Sequence, residues 1–179
     1  MFIKVCGLKT TEQIDKAIEY GYDAIGIVTY AKSKRYCENK DAIELAKYAK
    51  GKIKTFVVGL TYSDVEGVAD AFDYAQIYEA KQIPNLAIAS KEFPPDTLNY
   101  AYYFYDASIG SGVFQEFPRW VKDKADEIIV AGGLNAKNVC SVIDELKPFG
   151  VDVSSGVETN DVKDLRLMRE FIDAVKSCS

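Results

Sequence analysis

The chain alternates from end to end between short apolar runs of strand length and longer segments whose apolar residues recur with helical period. Eight apolar runs stand out: Phe2 to Leu8, Ala24 to Tyr30, Ile53 to Leu60, Tyr74 to Tyr78, Leu86 to Ala89, Tyr102 to Ala107, Glu127 to Ala131 and Gly150 to Ser154. A run such as AIGIVTY is apolar throughout, as strands buried on both faces are, and parallel strands need crossovers between them. Helix signals fill most of the gaps. Thr10–Thr11 and Gly21 bracket a first helix, Asn39 and Gly51 a second, and Ser63 opens a short one from Asp64 to Phe72. Phe117 to Lys124 reads as a helix, Asn135 opens another through Leu146, and a closing amphipathic helix carries Val162 to Val175. Pro84, Pro94 and Pro95 leave little room for full crossover helices after strands four and five. The order predicts an α/β fold: a (βα)8 TIM barrel with shortened fourth and fifth units, in preference to an open doubly wound sheet. With no linker, repeat or low-complexity stretch, residues 1–179 read as a single compact barrel domain.

Composition narrows the chemistry. There is no histidine, which removes the commonest general base, the Ser-His-Asp and Cys-His arrangements and most zinc sites. Acid–base work must then fall to carboxylates, thiols, Lys or Tyr. With 22 basic and 27 acidic residues the formal charge is -5, a poor match to nucleic acid or an anionic membrane. Cys6, Cys37, Cys140 and Cys178 show no CxxC pairing and read as reduced thiols. No run reaches the ~20 apolar residues that span a bilayer, and the first residues enter a strand without a signal-peptide pattern, so the expected compartment is the cytoplasm.

In a βα barrel the site lies where the strands end at their C-terminal side. Cys6 ends the first strand, Arg35 lies in the loop after the second, and Asp106 closes the sixth. Gly132-Gly133 follows strand seven, while Asp152 and then Ser154-Ser155-Gly156 belong to strand eight and its turn. Glycines with backbone N–H groups and a helix start after strands seven and eight form a phosphate site in this fold, although glycines there also make simple tight turns. An apolar-flanked cysteine such as Cys6 is most often a small buried hydrophobe; its place at the strand's end also allows a thiolate base, with its pKa lowered by the phosphate-site dipoles or a cation. Asp106 reads as a loop cap or as a proton donor near aromatic rings. Arg35, in the basic stretch KSKRY, is a solvated charge or a clamp for an anion.

Taken together these segments resemble the phosphoribosylanthranilate isomerase family of tryptophan biosynthesis. The likeness rests on KVCGL at 4–8, EYGYDAIGIV at 19–28, KSKRY at 32–36, AQIYE at 75–79, YDA at 105–107, VAGGLNAKNV at 130–139, GVDVSSGVE at 150–158 and MREFIDAVK at 168–176. The resemblance implies an Amadori rearrangement of N-(5'-phosphoribosyl)anthranilate with no metal or organic cofactor. It further implies that Asp106 is the general acid, Cys6 the general base, and Arg35 the holder of the anthranilate carboxylate. Asp152 would face the anthranilate nitrogen or a sugar hydroxyl, and Gly132, Gly133, Ser154, Ser155 and Gly156 would hold the phosphate. The partner is a small phosphorylated sugar, with neither nucleic acid nor membrane, and a homodimer is allowed.

The chain departs from the family in two motifs and in its trimmed fourth and fifth units. Residues 108–113 read SIGSGV where the family more often has a Gly-Gly-Thr-Gly stretch followed by a lysine, and 76–79 read Gln-Ile-Tyr-Glu where many members have Gln-Leu-His-Gly. Two rivals remain at this point: a related aminoaldose-phosphate isomerase, and a barrel that binds a phosphometabolite without turnover.

Overall fold

The computed structural model describes residues 1–93, 97–106 and 117–178. Eight parallel strands close into a barrel in sequence order: β1 Phe2–Cys6, β2 Ala24–Val28, β3 Lys54–Val58, β4 Tyr74–Ile77, β5 Leu86–Ser90, β6 Tyr102–Asp106, β7 Ile128–Ala131 and β8 Gly150–Val153. The ring closes where β1 pairs with β8, in a register that sets Lys4 opposite Asp152. The expected (βα)8 barrel is therefore the fold.

The helices are α1 Thr11–Tyr20, α2 Asn39–Ala49, α3 Arg119–Asp123, α4 Val139–Leu146 and α5 Leu165–Ser177. Thr10 accepts a hydrogen bond from the Gln13 N–H, and Gly21 closes α1 at φ 93°, as the sequence predicts. Five elements differ from expectation. The helix at 64–72 is replaced by 3₁₀ turns at Tyr62–Asp64 and Ala69–Ala71. There the Asp64 carboxylate takes the N–H groups of Leu60 and Thr61 and stops the chain from winding on. Glu38, not Asn39, is the cap residue of α2. Asn135 does not open a helix: it forms a turn in which Asn138 Oδ1 accepts the Asn135 N–H, so α4 starts at Val139. Val162 belongs to a two-stranded ribbon, β9 Glu158–Thr159 and β10 Val162–Lys163. Positive φ at Asn160 and Asp161 makes that ribbon's tight turn, and Asp164 then caps α5. Finally, Cys140 on α4 and Cys178 beyond α5 form a disulfide, while Cys6 and Cys37 remain thiols. The two helices pack side by side, a proximity that a separation of 38 residues does not announce.

Units three, four and five carry no α-helix among the described residues, so the shortening extends one unit further than expected. Alternation along each strand divides the core in two. Ile3, Val5, Ile25, Ile27, Val57, Ile77, Ile88 and Val151 face outward into the layer beneath the helices and turns. Phe2, Cys6, Val28, Phe56, Val58, Ala89, Phe104 and Ile129 face the axis. At the N-terminal end the axis is plugged by aromatic rings, with Phe2, Phe56 and Tyr74 packed around Tyr102 at centroid distances of 4.9–5.4 Å. The opposite end is open. No helix among the described residues is long and apolar enough to cross a membrane.

Candidate active site

The open end holds a cavity of about 410 Å³. Its walls include Cys6, Arg35, Asp106, Gly132, Gly133, Asp152, Ser154 and Ser155, eight of the nine residues singled out from sequence. Gly156 lies behind the wall. A Cβ there would stand 1.9 Å from the Leu134 carbonyl oxygen, so only glycine lets the turn after β8 press against the loop after β7. The stretch 108–113 lies outside the described residues.

Below the mouth sits a residue that sequence reading passed over. Lys4 is fully buried, and its Nζ stands 3.0 Å from Asp152 Oδ1. It also lies 5.0 Å from the centre of the Phe104 ring and 5.5 Å from that of Phe56. Burial works against its charge, but the facing Asp152 carboxylate and the Cys6 thiol outweigh burial and raise its pKa. Burial also pushes Asp152 above the usual carboxylate range, with Lys4 opposing. Room for this group comes from Gly26: a Cβ there would meet Cys6 Sγ at 2.8 Å and Lys4 Nζ at 3.2 Å. The signal was in the strand: within FIKVC, Lys4 shares the face of Phe2 and Cys6.

Cys6 is thus beside a cation, as its reading as a base requires, but its pKa is not lowered. Burial pushes the thiol up, and the pull of Lys4, Lys163 and Arg35 does not overcome it. That is a correction to the expected lowered value. The helix start supposed to help is also absent from Gly132–Gly133. Both glycines have positive φ, and the Gly133 carbonyl accepts a hydrogen bond from Asn138 Nδ2 at 2.9 Å.

Arg35 reaches the cavity wall already paired. Its Nε and Nη2 donate to the two carboxylate oxygens of Glu158 at 2.6 and 2.7 Å, in a bidentate fork. Glu158 also bonds Lys163, whose Nζ donates to the Ser154 carbonyl at 3.0 Å. Burial raises Glu158, yet its two cationic partners hold its carboxyl below the usual range. Ser154 in turn donates through Oγ to the Cys6 carbonyl at 3.0 Å. The β9–β10 ribbon therefore ties Arg35, the turn after β8 and the end of β1 into one polar network. Nothing local in the sequence marks Glu158 or Lys163 for this.

On the far wall, Tyr78 donates to Asp106 Oδ2 at 2.7 Å. Gln76, two residues earlier on the same face, lines the cavity with its buried Oε1 unpaired among the described residues. The site as a whole offers a carboxyl group, a thiol beside an ammonium, and a glycine–serine rim: equipment for moving protons on a small anionic ligand.

Comparison with known proteins narrows this further. The chain is 36% identical over 200 aligned positions to the N-(5'-phosphoribosyl)anthranilate isomerase of Listeria monocytogenes serovar 1/2a, covering 98% of each chain. It belongs to that family. Residues 103–174 match the family's own sequence model, N-(5'phosphoribosyl)anthranilate isomerase. Among solved structures it is similar to TrpF from Jonesia denitrificans, with a TM-score of 0.83, 26% identity and coverage of 99% and 98% of the two chains. A monomeric form of the dimeric phosphoribosylanthranilate isomerase from Thermotoga maritima gives 0.81 and 25%, covering 99% of each. The function of the chain is that of the phosphoribosylanthranilate isomerase family, in tryptophan biosynthesis.

Proposed function

We propose that Asp106 and Cys6 divide the isomerisation between them. Asp106 protonates the ribose ring oxygen, the C1–O bond breaks, and the anilino nitrogen lone pair forms the C=N bond of a Schiff base. Cys6 as thiolate then removes the C2 proton, the electrons move to nitrogen, and the enolamine tautomerises to the ketone. Two groups on different strands, β6 and β1, let acid and base work at separate atoms. The observation that carries this reading is a carboxyl and a thiol on one 410 Å³ cavity, with the Lys4 ammonium against the thiol. A raised pKa leaves less thiolate but makes that thiolate the stronger base.

Arg35 holds the anthranilate carboxylate, which replaces Glu158 on the guanidinium. Asp152, steered by Lys4, faces the anthranilate nitrogen or a sugar hydroxyl. Gly132, Gly133, Ser154 and Ser155 hold the phosphate through backbone N–H and hydroxyl groups, and Gly156 shapes the turn that carries the two serines. Residues 1–179 act as one catalytic domain in the cytoplasm on a small phosphorylated sugar, without metal or cofactor, and a homodimer is compatible with the reading. The test is loss of the anthranilate-adduct fluorescence with substrate made in situ. Cys6→Ser and Asp106→Asn are each expected to lower turnover by roughly a hundredfold or more, with binding largely kept. Near-wild-type turnover in either variant removes that residue's role. Folded protein that binds the substrate without turnover returns the barrel to a binding role.

A further inference from the structure

We propose that Tyr78 is a positioning residue for the acid step: its hydroxyl holds the Asp106 carboxyl group and stabilises the charge that develops there as Asp106 gives up its proton. The inference rests on the acid role proposed for Asp106 and goes beyond it to a residue outside the proposed acid–base pair, one that lines the same cavity.

The geometry is specific. Tyr78 directly follows β4 and turns its ring into the barrel, where it packs on the axial cluster that includes Cys6 and Phe104. Its backbone is pinned: the N–H groups of Tyr78 and Glu79 both donate to the Leu60 carbonyl at 3.0 Å. The Glu79 carboxylate accepts the Tyr62 N–H at 2.8 Å, closing the same loop from the other side. The phenol therefore approaches Asp106 on a rigid support, and its oxygen lies 2.7 Å from Oδ2.

The chemistry follows from what a phenol is. Burial, joined by the Asp106 charge once its proton has left, pushes the Tyr78 hydroxyl well above its usual range, so it remains a donor across the working pH. A hydrogen bond to an ionised acceptor is roughly twice as strong as one to a neutral acceptor. The Tyr78 bond thus gains strength as the proton leaves Asp106, which lowers the barrier to ring opening without tightening substrate binding. No proton passes from Tyr78, and the balance of the step is unchanged: the Asp106 O–H bond breaks and the sugar O–H bond forms.

Tyr78→Phe keeps the ring and removes only the donor. The expected result is a kcat lower by roughly ten- to a hundredfold, with KM within about threefold of wild type and unchanged thermal unfolding. Tyr78→His, which restores an N–H donor at this place, is expected to recover part of the loss. Wild-type kcat in Tyr78→Phe overturns the proposal, as does a rise in KM alone, which would make Tyr78 a binding group. Equal losses in the Phe and His variants also overturn it. Asp106→Asn separates the two levels. Full turnover there removes the acid role itself, whereas loss there with full turnover in Tyr78→Phe removes only the tyrosine's part.

Discussion

The two sides of the barrel are covered by different means. Around β7, β8, β1 and β2 the outward faces lie under α4, α5, α1 and α2, with α5 contributing Met168, Phe171, Ile172 and Val175, all nearly or wholly inaccessible. No α-helix follows β3, β4 or β5 among the described residues, and beyond the edge of β3 that α2 covers, the same layer is closed by Val65, Val68, Phe72 and Ile83 from turns. Helices satisfy their own backbone; turns must be satisfied by side chains. Asp64 takes the N–H groups of Leu60 and Thr61, and Asp73 takes both the N–H and hydroxyl of Thr55. Gln82 and Asn99 bond reciprocally, carboxamide to backbone. A parallel barrel therefore needs a cover and an answered backbone rather than helices as such. The polar groups in and beneath the cavity divide along the same line: Cys6, Lys4, Arg35 and Asp152 on the helical side, Tyr78 and Gln76 on the lean side, with Asp106 at the end of β6.

Breaking the comparison begins inside the helical half. Lys4→Met leaves Asp152 buried without its cation and is expected to cost about 3–5 kcal/mol in urea unfolding, much of it regained when Asp152→Leu is added. If the single change costs under about 1 kcal/mol, the pair is not what closes β1 on β8. Next in size, Phe171→Ala beneath α5 should cost about 4 kcal/mol and Phe72→Ala beneath the turns about 3 kcal/mol, because a turn can collapse into the space left more readily than a helix. The reverse order would mean that the turn layer is the stiffer one.

Caps sharpen the contrast further. Asp64→Ala strips a turn of three hydrogen bonds and is expected to cost about 2 kcal/mol, against about 1 kcal/mol for Thr10→Ala at the start of α1. The smallest effect is in pH. Glu158 has a lowered pKa in the fold, so its contribution is complete above the unfolded value and fades as pH falls through the folded one. Glu158→Gln should flatten the stability profile in that acid window, measured by unfolding at stepped pH. A slope identical to wild type would show that Arg35 and Lys163 contribute nothing through this carboxylate.

How much was legible follows from how far apart the partners are in the chain. Strands announced themselves because each is a local apolar run, and Cys6 and Asp106 because a strand's end is a local position. The helix ends at Thr10 and Gly21 were local too. Lys4 and Asp152 are 148 residues apart, and only the register of β1 on β8 brings them face to face. Arg35 and Glu158, 123 residues apart, meet through a ribbon whose second strand starts at Val162, a residue whose spacing fits the closing helix. The 64–72 segment has a helix's apolar spacing, and what overrode it is one carboxylate bonding backward to Leu60. Tyr78 was visible as a departure in sequence, but its partner was not.

On the proposed role of Arg35, its fork with Glu158 turns recognition into a competition. A ligand carboxylate arriving at Arg35 does not meet an unpaired cation; it meets one already served by an anion that is tethered, aligned and never dilute. On the proposed reading, then, only a guest that matches the fork with both oxygens can displace the incumbent. Monodentate anions such as chloride would be turned away by their poor fit rather than by any barrier at the entrance. The displaced Glu158 does not fall into solvent, because Lys163 is there to keep it. On that reading, discrimination at this end of the cavity is set by the protein's own standard of comparison, carried in its fold.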